Sequence, residues 1–459
     1  MPSHSEITHL LRRTEFVARP VRVAELVAAP SLEGAVNDIL AVPADTGAAV
    51  FTNDQDSQRV VQLTDFWLNR MAHDSPRPMQ EKMALFWHGH FCSSNAKVGS
   101  INLMQQQIDL YRRDGLGSFR TLAVNMSTTV AMLRYLDNNQ NFWSSRNENF
   151  GRELMELFVL GVGNYTEDDV QACAAAWTGH TDVYDPSKPG IHETYTWVPW
   201  DHDASVKTLL GRSINAGVNA QQHGAETIDV MLTSGVTPGG RSTRDVAAEF
   251  LTRKLWAFFA GSDPSADVIA HVSAAAKNSN FNVKPWLRAL LTHPEFYSDA
   301  ARTGLVRPPI DYVVALLAAS GLRSDVGTPW WLMEGMGQRP LFPPDVSGWK
   351  NNANWINASA FGRRASVARH VSYFLLGSFW GGDGLIRLPA ATISFAEVQA
   401  SGASAAARHN IVTRFADGMQ LTLGPASRAA LDEFAGNATW SELTDLIILL
   451  LITPEMNLA

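Results

Sequence analysis

Thr166 opens the segment that most constrains what this chain can fold into. Its hydroxyl can cap the free N–H groups of a helix start, and Asp169 can reach back as a shorter stand-in for the usual Glu. Val170, Cys173, Ala174 and Trp177 then fall at i, i+3, i+4 and i+7, one buried stripe, and Gly179 supplies a stop. The same grammar recurs along the 459 residues. Residues 5–40 predict two short helices joined near Pro20, with Val23, Leu26 and Val27 at helical spacing. Over 59–88, Val60, Leu63, Phe66 and Trp67 repeat, then Met83, Leu85, Phe86 and Trp87, with Gly89 as a stop. Segments 101–113, 118–136 and 145–160 predict three more helices, and Ser242 with Asp245 heads another over 242–259. The predicted fold is all-α, a multi-helix bundle-like globule with minor short strands or extended loops. Its helix content should exceed about 40% with under about 10% strand, against ~30–35% and ~20–25% in ordinary globular proteins.

Other stretches interrupt this pattern. Residues 41–58, with Pro43, Gly47, Asn53 and Asp54, predict a loop. Pro186, Pro189 and Gly190 break any helix over 181–203, and Tyr195–Trp200 favours extended backbone, either a hairpin or an ordered loop. Residues 334–360 form a long irregular stretch with Pro340, Pro343, Pro344 and Gly348, and long loops are often functional. The Gly-, Ala- and Ser-rich segment 383–405 predicts a surface insertion. Leu290–Phe296 and Leu450–Met456 echo each other, each closing an apolar helix at a proline. The chain divides into a half over 1–240 and a half over 241–459, or forms one continuous domain.

Composition excludes several classes. Lys plus Arg is 37 against 45 for Asp plus Glu, so the net charge of −8 carries no electrostatic signature of nucleic-acid binding. Cys92 and Cys173 cannot build a disulfide framework or a Cys-rich zinc site. The longest apolar run, Tyr312–Ala319, is far short of the ~20 residues that span a bilayer. The opening MPSHSEITHLLRRTEF lacks an apolar region, so no signal peptide is read. Cytoplasm is then the default, with export beside a signal-bearing partner as the alternative. No GxGxxG after a strand, Walker loop, GxSxG or HExxH occurs.

Four groups of residues can carry chemistry. His88 and His90 flank Gly89 in an aromatic setting; in extended backbone both would point to one side and could grip a metal. Glu153 and Glu156 share a helix face, a spacing that bundle metal sites use, and Glu156 sits among apolar residues from Leu154 to Leu160. A carboxylate there needs a partner, with Arg152 the simplest alternative to a metal. Asp201 and Asp203 flank His202 and could orient its ring, with Lys207 able to pair with Asp203; the bland alternative is a helix capped by Asp203. Trp349 and Trp355, on the loop with Asn351, Asn352 and Asn354, suit a polar, stackable ligand such as a sugar, or ordinary core packing.

Read together, these groups predict one polar pocket. His88, His90, Glu153 and Glu156 would hold a divalent transition metal, Fe, Mn or Zn. His202, Asp203 and Glu156 would do the acid–base work, and Arg152, Lys207, Trp349 and Trp355 would contact substrate. A metal-dependent hydrolase or oxidoreductase is the first reading. The others are a non-catalytic scaffold binding a glycan or partner, and a metal-free acid–base enzyme.

The segments WHGHF (87–91), NENFGRELMELFVLGVGNYTEDDVQACAAAWTG (147–179), HDASVKTLLG (202–211) and RPLFPPDVSGW (339–349) resemble the bacterial "domain of unknown function 1800" family. So do HLLRRTEF and the helix ends in PEF or PEM, and the resemblance runs from about residue 6 to 459. It implies a predominantly helical protein. It also implies a neighbour of the "domain of unknown function 1501" family, which is similar to sulfatases and alkaline phosphatases. It supplies no reaction. Some relatives have His where this chain has Phe158, and Trp where it has His180, which weakens any site needing His at 158.

Overall fold

The structure is a computed structural model that describes all residues except 42–44, 53–54, 77, 188–191, 216–219, 262, 325–327, 350–351, 382–383 and 439–441. The expectations for Pro43, Asn53, Asp54, Pro189, Gly190 and Asn351 lie outside the described residues. The protein is mainly helical, 64% of it, with 24 α-helices among the described residues and only short antiparallel strand pairs.

Local chemistry explains the best-defined elements. Thr166 caps the helix Glu167–Ala176 through its hydroxyl, and the Asp169 carboxylate accepts from the Thr166 N–H at 2.9 Å, as the sequence predicts. The other Asp169 oxygen accepts from the Leu210 N–H at 2.6 Å, so the cap also fastens the following loop. Ser242 precedes the helix Thr243–Phe259, as expected, but its side chain makes no capping bond. Of the two expectations for 181–203, a hairpin or an ordered loop, the structure shows a hairpin, with His180–Tyr184 paired to Glu193–Trp197.

Boundaries differ where tertiary packing overrides local pattern. Residues 4–40 form three helices, His4–Thr14, Pro20–Val27 and Leu32–Leu40. The helix expected over 118–136 is split at Thr128 and Thr129, because the Thr129 hydroxyl caps a second start. Gly89 does not stop its helix, which runs Met79–His90. A side chain at Gly89 would meet nothing within 4 Å, so the helix passes through it without strain. The segment 149–159 begins as an α-helix and widens at Leu154–Val159 into a π-turn, a distortion common at functional sites.

Buried apolar side chains from both halves join one hydrophobic cluster, including Trp67, Trp87, Trp177, Trp256 and Trp286. The two halves also touch through polar bonds, such as the Leu341 N–H donating to His88 Nε2 at 3.1 Å. No helix among the described residues is long and apolar enough to cross a membrane.

Candidate functional site

The first consequence of a continuous Met79–His90 helix is that His88 and His90 point apart. Two residues on a helix are rotated by about 200° from each other. The two rings therefore do not form the expected metal grip; the physical reason is the helical backbone at Gly89. His88 is completely buried. Because its Nε2 accepts from the Leu341 N–H, its proton sits on Nδ1, and burial pushes its pKa down to about 3. Its ring also packs edge-on against Trp349, with centroids 5.2 Å apart.

His90 faces the opposite way, toward the end of the π-turn. Helix ends leave carbonyls without intrahelical partners. Two of these are taken by side chains: His90 Nε2 bonds the Phe158 carbonyl at 3.0 Å, and Lys254 Nζ donates to the Leu157 carbonyl at 2.8 Å. A carbonyl only accepts, so the His90 proton is on Nε2 and its Nδ1 lone pair can accept. That lone pair lies 3.4 Å from Lys254 Nζ. Lys254 comes from the helix Thr243–Phe259, where Phe250, Lys254 and Phe258 recur at i, i+4 and i+8. Its amine lies 5.1 Å from the centre of the Phe250 ring.

A cavity of about 400 Å³ opens beside these groups. His90 and Lys254 line it with Arg253, Phe86, Phe258 and Trp349. Trp349 arrives on the Pro343–Trp349 loop, which Asp345 folds by accepting from the Ser347 N–H at 2.8 Å. Gly348 lets that loop press onto the helix: its φ is +84°, and a Cβ there would lie 2.5 Å from the Gly89 carbonyl and 3.1 Å from Cys92 Sγ. Two sequence motifs far apart in the chain thus build one cavity. Burial pushes the Lys254 amine down to about 8, and holds His90 well below the ordinary imidazole range with further help from the Lys254 charge. Burial raises the Cys92 thiol to about 12, so it stays a thiol.

The other expected residues lie elsewhere. Glu156 is half-buried rather than buried, and it accepts from the Tyr165 hydroxyl at 2.5 Å. Its partner is a phenol, neither the charged group nor the metal that the apolar run predicts, because its side chain stays half exposed, where a carboxylate needs no ionic partner. Glu153 is half-buried too, and burial followed by the Glu156 charge raises its pKa. Arg152 turns outward to Glu167 at 2.7 Å and Glu148 at 3.3 Å. Trp355 is buried, 5% exposed, and does not line the cavity.

His202, Asp203 and Lys207 form a second, separate cluster. His202 Nδ1 bonds the Thr178 carbonyl at 2.9 Å, and its Nε2 faces His223 Nδ1 at 2.9 Å. Lys207 belongs to the strand Lys207–Leu209, not to a helix capped by Asp203. Its amine donates to the carbonyls of Asp203 and Ser205, and Asp203 pairs with Arg146. Burial comes first in lowering the pKa of His202, His223 and Lys207. Among the described residues, no three His, Cys, Asp or Glu side chains stand close enough to hold one metal ion. Expected donors that do not converge include Glu153, Glu156, His88 and His90.

Lys254 and His223 are absent from the sequence reading. A lysine in a Phe250–Lys254–Phe258 stripe is the pattern that could have marked the first; nothing local marks the second.

The fold and cavity define a mainly helical protein with a pocket of mixed polar and apolar lining between helices and loop. The chain belongs to the family described as "Protein of unknown function (DUF1800)", whose model matches residues 9–458. No curated protein and no solved structure matches it.

Proposed function

We propose that the chain is a metal-free acid–base enzyme whose reaction takes place in the cavity at Lys254 and His90. The observation that carries this reading is the Lys254 amine, which lines the cavity, pairs with no carboxylate among the described residues and has a pKa of about 8. An ordinary lysine near ~10.4 is locked as a cation at neutral pH. One near 8 exchanges its proton there, the condition for a general base or acid. Phe86, Phe258 and Trp349 offer an apolar wall to the body of a small ligand, and Arg253 offers a charge to an acidic group. A ligand-observed NMR screen of small carboxylic acids and carbonyl compounds tests this. Binders should appear and be lost in both Trp349→Ala and Lys254→Met. Binders indifferent to Lys254→Met, or none at all, would overturn it.

A metal-dependent reaction using Fe, Mn or Zn is a second proposal. Its support is the facing nitrogen pair of His202 and His223, two imidazoles that leave the remaining positions to water or substrate. Elemental analysis of protein purified without chelator, beside His223→Ala, tests it. A sulfatase-like partner of the 1501 family is proposed from the family resemblance alone, and co-purification tests that.

A further inference from the structure

Arg307, next in sequence to the Pro308 that lines the Lys254 cavity, lines a smaller cavity of about 90 Å³. Its lining includes Arg12 from the helix His4–Thr14, Arg19 just before the next helix, and Arg307 before the helix Pro309–Ser320. His4, Thr8, Gln420, Thr422 and Glu455 are the rest of its polar lining.

Three guanidiniums around one small space repel each other unless an anion sits among them. One carboxylate, Glu455, shares the lining, so the wall sets three guanidiniums against a single carboxylate. Glu455 accepts from the Gly424 N–H at 2.7 Å and the Ser427 hydroxyl at 2.8 Å. Glu15 faces Arg19 but accepts from Arg22 at 3.2 Å. Arg12 feels the Glu455 charge yet forms no hydrogen bond or ion pair among the described residues. Arg19 donates to the Ala72 carbonyl, and Arg307 to the carbonyls of Leu458 and Phe16, so both are held by neutral groups.

The protein behind this cavity deepens the imbalance. Arg13, Arg307, Arg364 and Lys82 are all at most 2% exposed, and the buried carboxylate Asp311 is paired with Lys82. Arg13 Nε and Nη1 and Arg364 Nε have no hydrogen-bond partner among the described residues. Arginine does not neutralise itself by losing a proton, so the charge persists.

We infer that this cavity binds a compact, multiply charged oxyanion of the phosphate class, held by Arg12, Arg19 and Arg307. Planar guanidinium forks match tetrahedral oxyanions by paired N–H···O bonds, and the partly desolvated setting strengthens them. This site is independent of the chemistry proposed at Lys254.

The test uses the full chain. Its thermal midpoint is followed against sodium phosphate, sodium sulfate and glycerol phosphate, each compared with sodium chloride at equal ionic strength. A saturable rise with phosphate, absent with chloride, is expected, and Arg12→Gln should weaken apparent affinity at least tenfold. Glycerol phosphate acting as well as phosphate would assign the site to a phosphate end-group; its failure beside phosphate would assign it to the free ion. Lys97→Gln, at an exposed lysine paired with Asp137 outside the cavity, should change nothing. If Arg307→Gln does not fold, the half-buried Arg12 variant still decides. A midpoint that follows ionic strength alone, or phosphate binding unchanged in Arg12→Gln, would overturn the inference.

Discussion

His88 accepts a hydrogen bond from Leu341, and Leu341 holds a left-handed φ of +68°. A non-glycine residue there costs about 1–2 kcal/mol, so something must hold it. The Leu341 carbonyl is pinned as well, accepting from the Asn95 N–H at 2.9 Å. The imidazole is therefore a clamp on the loop that carries Trp349 to the cavity. His88→Leu should remove the acceptor and leave a buried N–H unmatched, a loss of about 1–3 kcal/mol in urea unfolding. Hydrogen exchange at Leu341 should rise with it. An unchanged exchange rate would show that the clamp has no such role.

Gly89 and Gly348 touch, yet the same substitution should act oppositely on them. Gly348→Ala forces a Cβ against the Gly89 carbonyl at a φ of +84° and should destabilise by at least about 1 kcal/mol. Gly89→Ala meets nothing within 4 Å and lies in a helix, so it should be neutral or stabilise by up to about 1 kcal/mol. Thermal midpoints of the two variants check the pair.

Glu156→Gln should cost less than about 1 kcal/mol, because a half-exposed carboxylate meeting one phenol contributes modestly and an amide oxygen can still accept. A loss above about 3 kcal/mol would restore the buried-charge reading of this residue.

Stability should fall on acidification. Burial lowers the pKa of His9, His88 and His180 to about 3, with nearby arginines adding to the effect at His9 and His202 at His180. The unfolded chain takes up these protons below ~6.5 and the folded chain does not until about 3, so the unfolded state binds more protons in between. Stability carried by the neutral rings is complete above ~6.5 and drains away as pH falls toward 3. Each histidine contributes a slope of up to ~1.4 kcal/mol per pH unit. Urea midpoints at pH 7.5, 6 and 5 should decline, and His88→Gln should flatten the decline.

The helical fold was legible because capping and periodicity are local. Thr166, Asp169 and the Val170–Trp177 stripe needed no partner from elsewhere. The extended backbone of Tyr195–Trp197 was legible for the same reason, but its pairing with His180–Tyr184 was left open between a hairpin and a loop. The site was legible only in part. His90 and Trp349 were singled out and do line one cavity, but the histidine pair does not converge because the helix continues through Gly89, and Glu153 and Glu156 lie outside that lining. Gly tolerates both outcomes, and the packing of Gly348 against it, not its own preference, sets the geometry. Lys254 escaped notice because its setting depends on the Leu157 carbonyl of a π-turn about a hundred residues away, which no local pattern encodes.

The account rests most directly on the Lys254 amine. Reductive ¹³C-methylation followed by NMR titration, with Lys254→Arg to assign the resonance, measures its pKa in the folded chain. The account predicts a midpoint near 8, moving upward when Phe258→Ser admits water to the cavity wall. A midpoint at the ordinary lysine value of ~10.4 would contradict it, since the amine would then be a fixed cation at neutral pH.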